Sequence, residues 1–261
     1  MRFSRPAQIV TRAVPKSFSR ALQDAPDPID VDRARDQHAR YVAALRETGV
    51  SVQLLPEEDA LPDSCFVEDP VVVLGQKALM CRSAAPSRAA EGQTLWPTLS
   101  AHCTMVPMSA QQTLDGGDVL RIGQHLYVGR SARTNRAGVT ALRTAAAAEG
   151  LTVTDVPLLA GLHLKSVVTL AAPGLLVYQP GTVDIHHFRD VDCLAVEEPA
   201  GANVLLIGEV VLVSASAPQT AERLAQRGCT VRVLCVDEFH KADGALTCLS
   251  IRIPQPGSWV T

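Results

Sequence analysis

Short apolar runs recur along this chain, and many of them meet in pairs at a glycine. Residues 118–131 (DVLRIGQHLYVGRS) align without gaps on residues 203–216 (NVLLIGEVVLVSAS), 85 positions later, with a shared Ile-Gly near the centre. Looser copies of the pattern surround Gly75 and Gly174. Paired apolar runs joined by a short glycine-containing turn are typical of β-hairpins, and their recurrence indicates a repeat architecture.

Helical patterns lie between these hairpins. The clearest runs from Val31 to Thr48, where Asp30 is placed as the N-cap and Gly49 follows the last turn. Two more helices are predicted at 135–149 and 217–227, and β-branched runs follow the three helices at 50–55, 151–156 and 230–236. No segment resembles a linker, so residues 1–261 are predicted to form a single domain of four or five ββαβ units.

The composition excludes several classes of partner. The chain has 261 residues with 47% hydrophobic and 4% aromatic residues and a net charge of −3, which argues against nucleic-acid or anionic-membrane binding. Its seven cysteines lack CxxC spacing, so we expect free thiols without a metal site. The first residues lack a secretory apolar stretch, and no apolar run is long enough to span a bilayer. These observations predict a cytoplasmic protein.

Three segments carry residues suited to nucleophilic catalysis. Cys248 lies just before the alternating run Ser250–Ile253, His163 lies in GLHLKS, and Asp115 lies in LDGGD. Covalent catalysis uses such a set of nucleophile, base and orienting group. Taken singly, each residue has an ordinary interpretation: a cysteine packs in a core, a histidine is structural, and Asp-Gly-Gly-Asp forms a turn.

Taken together, these segments resemble a known family. DSCFVEDP (63–70), LDGGDVL (114–120), GRSARTN (129–135), GLHLKS (161–166) and DGALTCLSIRI (243–253) occur in the order typical of dimethylarginine dimethylaminohydrolases, and the resemblance covers nearly the whole chain. It implies a five-fold pseudo-symmetric α/β propeller with its site on the central axis. The N-terminal strand at 9–11 and the C-terminal strand are expected to complete one unit together.

The resemblance also implies a reaction. The expected activity is hydrolysis of N-omega-methylated L-arginine to L-citrulline and dimethylamine or methylamine, with a small-molecule substrate and no cofactor. Cys248 is expected to attack the guanidinium carbon and form an S-alkylthiouronium intermediate. His163 then serves as general acid and later as general base, oriented by Asp115. Either a protonated His163 or the cationic substrate could favour the thiolate, and the sequence does not choose between them.

Further residues are implied to bind the substrate. The acids of the 63–70 segment are expected to bind the guanidinium, the arginines to bind the substrate carboxylate, Leu22 to belong to a lid, and Asp243 to line the pocket floor. Gly116 and Gly117 are expected to allow close backbone approach. The acids are Asp63, Glu68 and Asp69, and the arginines are Arg88 and Arg133.

One departure bears on the substrate class. Arginine deiminases, which are related, carry an acid two residues after the histidine, where this chain has Lys165. An unpaired cation at that position predicts a preference for N-alkylated arginine over arginine. A deiminase-like hydrolase that releases ammonia and a non-catalytic binding propeller are the alternatives. The sequence allows either a monomer or a homodimer.

Overall fold

The computed structural model describes residues 5–255, in which fifteen strands form five three-stranded sheets and six α-helices connect or cover them. The strands are β1 Gln8–Arg12, β2 Ser51–Leu55, β3 Val71–Val73, β4 Lys77–Met80, β5 Thr104–Pro107, β6 Val119–Ile122, β7 His125–Arg130, β8 Thr152–Pro157, β9 Val168–Ala172, β10 Leu175–Tyr178, β11 Asp192–Ala195, β12 Leu205–Ile207, β13 Val210–Ser214, β14 Thr230–Leu234 and β15 Ile251–Ile253. The helices are α1 Val31–Glu47, α2 Glu91–Leu99, α3 Arg136–Ala147, α4 Leu164–Val167, α5 Pro218–Gln226 and α6 Asp237–His240.

Every sheet has the same topology. An antiparallel hairpin is followed by a third strand that runs parallel to the hairpin's second strand, in the orders β3-β4-β5, β6-β7-β8, β9-β10-β11 and β12-β13-β14. The fifth sheet joins the two ends of the chain. There β1 pairs antiparallel with β15, with Gln8 opposite Ile253, and parallel with β2. The predicted five-fold α/β propeller of ββαβ units is confirmed, including its closing unit.

The glycines of the repeat form the hairpin turns. Gly123 and Gly208 adopt φ angles of +62° and +61° between the strands of their hairpins. Gly174 has a φ of +75° between β9 and β10. Because L-residues with a Cβ rarely adopt this left-handed conformation, glycine is the residue that these tight turns favour.

Helix α1 follows the predicted pattern. The Asp30 side chain accepts a hydrogen bond from the Arg33 backbone N–H, as an N-cap does. Its buried face contains Tyr41, whose hydroxyl donates to Ser250 Oγ at 2.8 Å. Helix α1 is therefore tied to the short segment between Cys248 and β15.

Two connections differ from the pattern. Helix α2 forms in a region that Gly92 and Pro97 mark as a loop, because Leu95 and Leu99 bury one face of it. Between β10 and β11 the chain makes only a 3-10 turn, Ile185–His187, where the other units have a helix. Within residues 5–255, every helix is too short or too polar to cross a membrane.

Candidate active site

Segments far apart in the sequence meet in one pocket, because each precedes the first strand of its unit. Asp69 precedes β3, His163 precedes the short helix that leads into β9, and Cys248 precedes β15. Equivalent ends of the units lie together around the axis, so these side chains converge. The residues lining the pocket are Leu22, Gln23, Asp24, Asp63, Phe66, Asp69, Arg88, Arg133, Leu162, His163, Ala242, Asp243, Gly244 and Cys248.

The imidazole of His163 forms a hydrogen bond with the fully buried carboxylate of Asp115. Its Nε2 donates to Asp115 Oδ2 at 3.1 Å, and its Nδ1 lies 4.0 Å from Asp69 Oδ1. Burial by itself lowers the pKa of His163, but Asp69, the hydrogen bond with Asp115 and the charge of Asp118 together raise it to about 9. The ring is therefore a cation at neutral pH and can donate a proton.

Two glycines allow the backbone to approach this ring, as expected. A Cβ on Gly117 would lie 2.8 Å from both His163 Nδ1 and Asp69 Oδ1, and a Cβ on Gly116 would lie 2.1 Å from the Glu68 carbonyl oxygen. Both distances are shorter than real Cβ contacts. Any side chain at these positions would displace the imidazole, Asp69 or the backbone beside them.

The thiol of Cys248 lies in a partly buried, acidic environment. Burial, and then the charges of Asp69 and Glu68, raise the pKa of Cys248 to about 12. The Cys248 carbonyl accepts a hydrogen bond from the Glu68 N–H at 3.2 Å, which joins the two segments. The thiol is protonated at neutral pH, although a protonated imidazole lines the same pocket.

Asp69 remains a carboxylate inside the pocket. Burial alone would raise the pKa of Asp69, but His163 and Arg88 lower it to about 2. Its Oδ2 accepts from Arg88 Nη1 at 2.7 Å, and its Oδ1 accepts from the Gly117 N–H at 3.1 Å. A fixed carboxylate of this kind suits a cationic substrate group.

Arg88 has partners that the sequence did not predict. Its Nε donates to Glu91 Oε1 at 2.9 Å and its Nη2 to Glu91 Oε2 at 2.8 Å, in addition to the contact with Asp69. The guanidinium lines the pocket but is buried between these two carboxylates. In this structure Arg88 thus holds Asp69 in place, and only part of its guanidinium is available to a ligand.

Arg133 presents a cation with fewer protein contacts. Its Nη1 lies 3.6 Å from Asp115 Oδ2 but has no hydrogen-bond partner within residues 5–255. The side chain is partly exposed and lines the pocket. Because Nη1 itself is buried beside Asp115, the partly exposed remainder of the side chain is what Arg133 offers to the pocket.

The predicted lid residue contacts an acid of the pocket. The Leu22 N–H donates to Asp63 Oδ1 at 3.1 Å, and the Asp24 N–H donates to Asp243 Oδ2 at 2.7 Å. Asp243 was expected on the floor, but it is exposed and lies at the rim. Its backbone has a φ of +53°, and its carboxylate contacts Asp24, which lines the same pocket.

Glu68 and Lys165 are placed differently from their predictions. Glu68 Oε1 accepts from Lys165 Nζ at 2.5 Å and from Arg252 Nη2 at 2.9 Å, and all three residues line a neighbouring cavity. The two cations hold the Glu68 carboxylate away from the pocket lined by Cys248. Lys165 is therefore paired and does not present an unpaired cation to a ligand in the pocket.

One group in the pocket has the spacing of a metal site. Among residues 5–255, atoms of Asp69, Asp115 and His163 lie within 4.8 Å of one another. The pairing of Asp69 with Arg88 disfavours a bound metal ion there, because the carboxylate is already engaged by a cation. The arrangement better suits proton transfer beside a cationic ligand.

Sequence reasoning missed several supporting residues. Phe66 packs against Gly244, where a Cβ would lie 2.3 Å from the ring. Glu91, Asp118 and Asn203 are buried behind the pocket and make hydrogen bonds to the segments that form it. The internal repeat could have revealed Asp118 and Asn203, because they align with each other in it.

Comparison with known proteins identifies related sequences. Residues 5–177 match the family of eukaryotic N,N dimethylarginine dimethylhydrolases. The N(G),N(G)-dimethylarginine dimethylaminohydrolase of Streptomyces coelicolor is 40% identical over 87% of this chain and 88% of its own length. The Pseudomonas aeruginosa protein of that name is 32% identical over 85% of this chain and 89% of its own.

Solved structures agree with the sequence comparison. A cysteine-to-serine variant of the Pseudomonas aeruginosa enzyme in complex with citrulline has a TM-score of 0.93 at 30% identity, covering 96% of this chain and all of the other. The N-terminal domain of ArgZ, a cyanobacterial arginine dihydrolase, bound to substrate, has a TM-score of 0.83 at 20% identity, covering 95% and 98% of the two chains. The second likeness shows a shared fold.

Proposed function

Because the chain belongs to the dimethylarginine dimethylaminohydrolase family, we propose that it hydrolyses N-omega-methylated L-arginine to L-citrulline and an alkylamine. The substrates are asymmetric dimethylarginine and monomethylarginine, which release dimethylamine and methylamine. The observation that carries the proposal is the convergence of Cys248, His163 and Asp69 on one pocket. The protein's seven cysteines are all free thiols, which fits a reducing compartment such as the cytoplasm.

The pocket offers complementary charges to both ends of such a substrate. Asp69, a carboxylate with a pKa of about 2, and the neighbouring Asp63 pair with the guanidinium. Arg133 pairs with the substrate carboxylate, since its side chain is partly exposed and lines the pocket and a guanidinium binds carboxylates well. The segment with Leu22 covers the bound molecule.

The substrate itself favours the thiolate. The charge of Asp69 is one cause of the high pKa of Cys248. A guanidinium bound at Asp69 offsets that charge and places a cation beside the sulfur, so the thiol loses its proton to solvent more readily. The sulfur then attacks the guanidinium carbon.

His163 carries the two proton transfers that follow. As an imidazolium, it donates a proton to the departing amine, and the C–N bond breaks to leave the S-alkylthiouronium and a neutral ring. The ring then takes a proton from water while the water oxygen bonds to the same carbon. The C–S bond then breaks and the remaining hydroxyl proton passes to solvent, which releases neutral citrulline and returns the sulfur as a thiolate. Asp115 holds the ring throughout through Nε2.

The deiminase-like alternative requires a second acid that this chain lacks two residues after His163. The residue there, Lys165, is engaged by Glu68 outside the pocket. A non-catalytic binding propeller gives no reason for a cysteine beside a buried histidine whose pKa is raised by neighbouring carboxylates.

The proposal is tested by measuring citrulline and amine release with dimethylarginine, monomethylarginine and arginine. Wild-type protein should form citrulline from the methylated substrates, and Cys248→Ser should form none. Absence of citrulline from every methylated substrate with folded wild-type protein would contradict the proposed function.

A further inference from the structure

A buried polar side chain occupies the same position of the repeat in three units. Each of these residues lies five positions before the glycine of a hairpin turn, where that glycine has a positive φ. All three side chains are buried, with exposed fractions of 0%, 2% and 3%. The residues are Asp118 before Gly123, Thr169 before Gly174 and Asn203 before Gly208.

The three side chains make the same kind of contact. Each provides an oxygen that accepts a backbone N–H from the next unit. Leu164 N–H donates to Asp118 Oδ1 at 3.0 Å, Val204 N–H donates to Thr169 Oγ1 at 2.9 Å, and Thr247 N–H donates to Asn203 Oδ1 at 3.1 Å. These bonds join neighbouring units close to the axis.

Two of the three contacts hold a residue next to the proposed chemistry. Leu164 directly follows His163, and Thr247 directly precedes Cys248. We propose that Asp118 and Asn203 are positioning residues, Asp118 for the imidazole and Asn203 for the thiol. This inference rests on the proposed function, because it assigns roles in that reaction.

Asp118 makes further contacts that support its role. Its Oδ2 accepts from the hydroxyls of Ser131 and Thr134, the residues that flank the Ala132-Arg133 pair. Thr134 Oγ1 in turn accepts the Asp115 N–H at 3.4 Å. One carboxylate thus fixes the backbone beside the imidazole, the hydroxyl that contacts Asp115 and the loop that carries Arg133.

Asn203 connects the segments of the histidine and the cysteine. Its Nδ2 donates to the Lys165 carbonyl at 2.8 Å and to Thr247 Oγ1 at 3.0 Å, while its Oδ1 accepts the Thr247 N–H. The amide therefore spans the residue two after His163 and the residue before Cys248. A change here alters the distance between the two groups.

Thr169 supplies the comparison variant, because Val204 adjoins Asn203 but neither His163 nor Cys248. We compare Asp118→Ala, Asn203→Ala and Thr169→Val, and measure kcat, KM and thermal midpoint with dimethylarginine. The first two variants should lose about tenfold to hundredfold in kcat/KM, as expected when reacting groups are misplaced. Asp118→Ala should also raise KM through the Arg133 loop. Thr169→Val should lower the thermal midpoint and reduce kcat/KM less than Asn203→Ala does, because it acts on Asn203 only through the backbone on either side.

A conservative variant separates positioning from simple stability. Asp118→Asn keeps an oxygen for the Leu164 N–H but removes the charge that raises the pKa of His163. It should recover most of the kcat lost in Asp118→Ala but less of the KM, because its amide nitrogen cannot accept from Ser131 and Thr134, and the high-pH limb of its profile should move to lower pH. This variant decides the matter for Asp118 if Asp118→Ala does not fold.

The outcomes are distinct. If wild-type protein is active and the variants at 118 and 203 lose only thermal stability, the positions are purely structural and the inference is wrong. A folded Asp118→Asn enzyme that is as slow as Asp118→Ala would likewise overturn the role assigned to the Asp118 oxygen. Absence of wild-type turnover would instead overturn the proposed function, and the inference with it.

Discussion

Lys165 Nζ donates to Glu68 Oε1 at 2.5 Å, across 97 positions of sequence and in a cavity beside the candidate pocket. Both side chains are buried, with 7% and 5% exposed. The positive charge of Lys165 lowers the pKa of Cys248, whereas Glu68 raises it. The pair thus acts on the thiol electrostatically without lying in the pocket.

Lys165→Met should slow alkylation of Cys248 at a fixed alkaline pH, because loss of the lysine charge raises the thiol pKa further. It should also destabilise the fold by on the order of 3 kcal/mol, since Glu68 keeps only Arg252 as a partner. Iodoacetamide kinetics and denaturant unfolding measure the two effects. Lys77→Met, which removes a surface partner of Glu149, is the control and should change neither appreciably. An unchanged alkylation rate in Lys165→Met would show that the Lys165–Glu68 pair does not influence the pKa of Cys248.

The ionisation of Cys248 should depend on a bound cation. With a pKa of about 12, the free protein should show thiolate absorbance only as the pH rises towards that value. An inert alkylguanidinium bound at Asp69 should shift the midpoint to lower pH, because a nearby cation stabilises the thiolate. The ultraviolet difference between wild type and Cys248→Ser reports this titration. A titration midpoint that is the same with and without the alkylguanidinium would argue against substrate-assisted ionisation.

Cys248→Ser should lose turnover by at least about a thousandfold, because a hydroxyl ionises far less readily than a thiol. Binding of dimethylarginine should persist, since Asp69 and Arg133 are untouched. Citrulline assays and calorimetric titration measure the two properties. Substantial turnover by this variant would place the nucleophile elsewhere.

His163→Gly should allow slow attack by the thiol at best, and the resulting adduct should accumulate because no base activates water. Mass spectrometry of the intact protein after exposure to substrate detects the added mass. Glycine leaves Asp115 without its ring partner, so circular dichroism must show that the variant is folded. Rapid multiple turnover would remove His163 from both proton transfers.

Dimethylarginine should have a higher kcat/KM than arginine under matched conditions. The reason is the lack of a second acid two residues after His163, so the distal guanidinium nitrogen need not be an N–H donor. Lys165 is paired with Glu68, so an unpaired cation does not explain the expected preference. The missing second acid still does. Equal or better turnover of arginine would contradict the dimethylaminohydrolase assignment while leaving Cys248 and His163 in their roles.

Local sequence patterns predicted much of the fold. The hairpins follow from apolar runs that meet at glycines, and α1 follows from Asp30, its periodic face and Gly49. Helix α2 was missed because Gly92 and Pro97 are poor local signals for a helix. Tertiary burial of Leu95 and Leu99 outweighs those preferences, and no local pattern reveals it.

The sequence predicted which residues belong to the candidate site better than it predicted where their side chains point. Glu68 and Asp69 are adjacent in sequence, yet their carboxylates point in different directions. That of Glu68 faces two cations in the neighbouring cavity, and that of Asp69 faces the pocket lined by Cys248. Which way each points depends on Lys165, Arg252 and Arg88, all remote in the chain. Asp243 similarly lies at the rim because its backbone and its bond to Asp24 turn it outwards.

The pairing of β15 with β1 also has a consequence for biosynthesis. Gln8 is made early and Ile253 late, yet they must meet before the strand that follows Cys248 has a place in a sheet. Contacts so far apart in sequence form slowly, because a long loop must close first. A nascent chain can therefore assemble its middle units while its nucleophile is still outside the pocket. Reactivity towards guanidines arises only when the ring closes, so no partly made chain carries it.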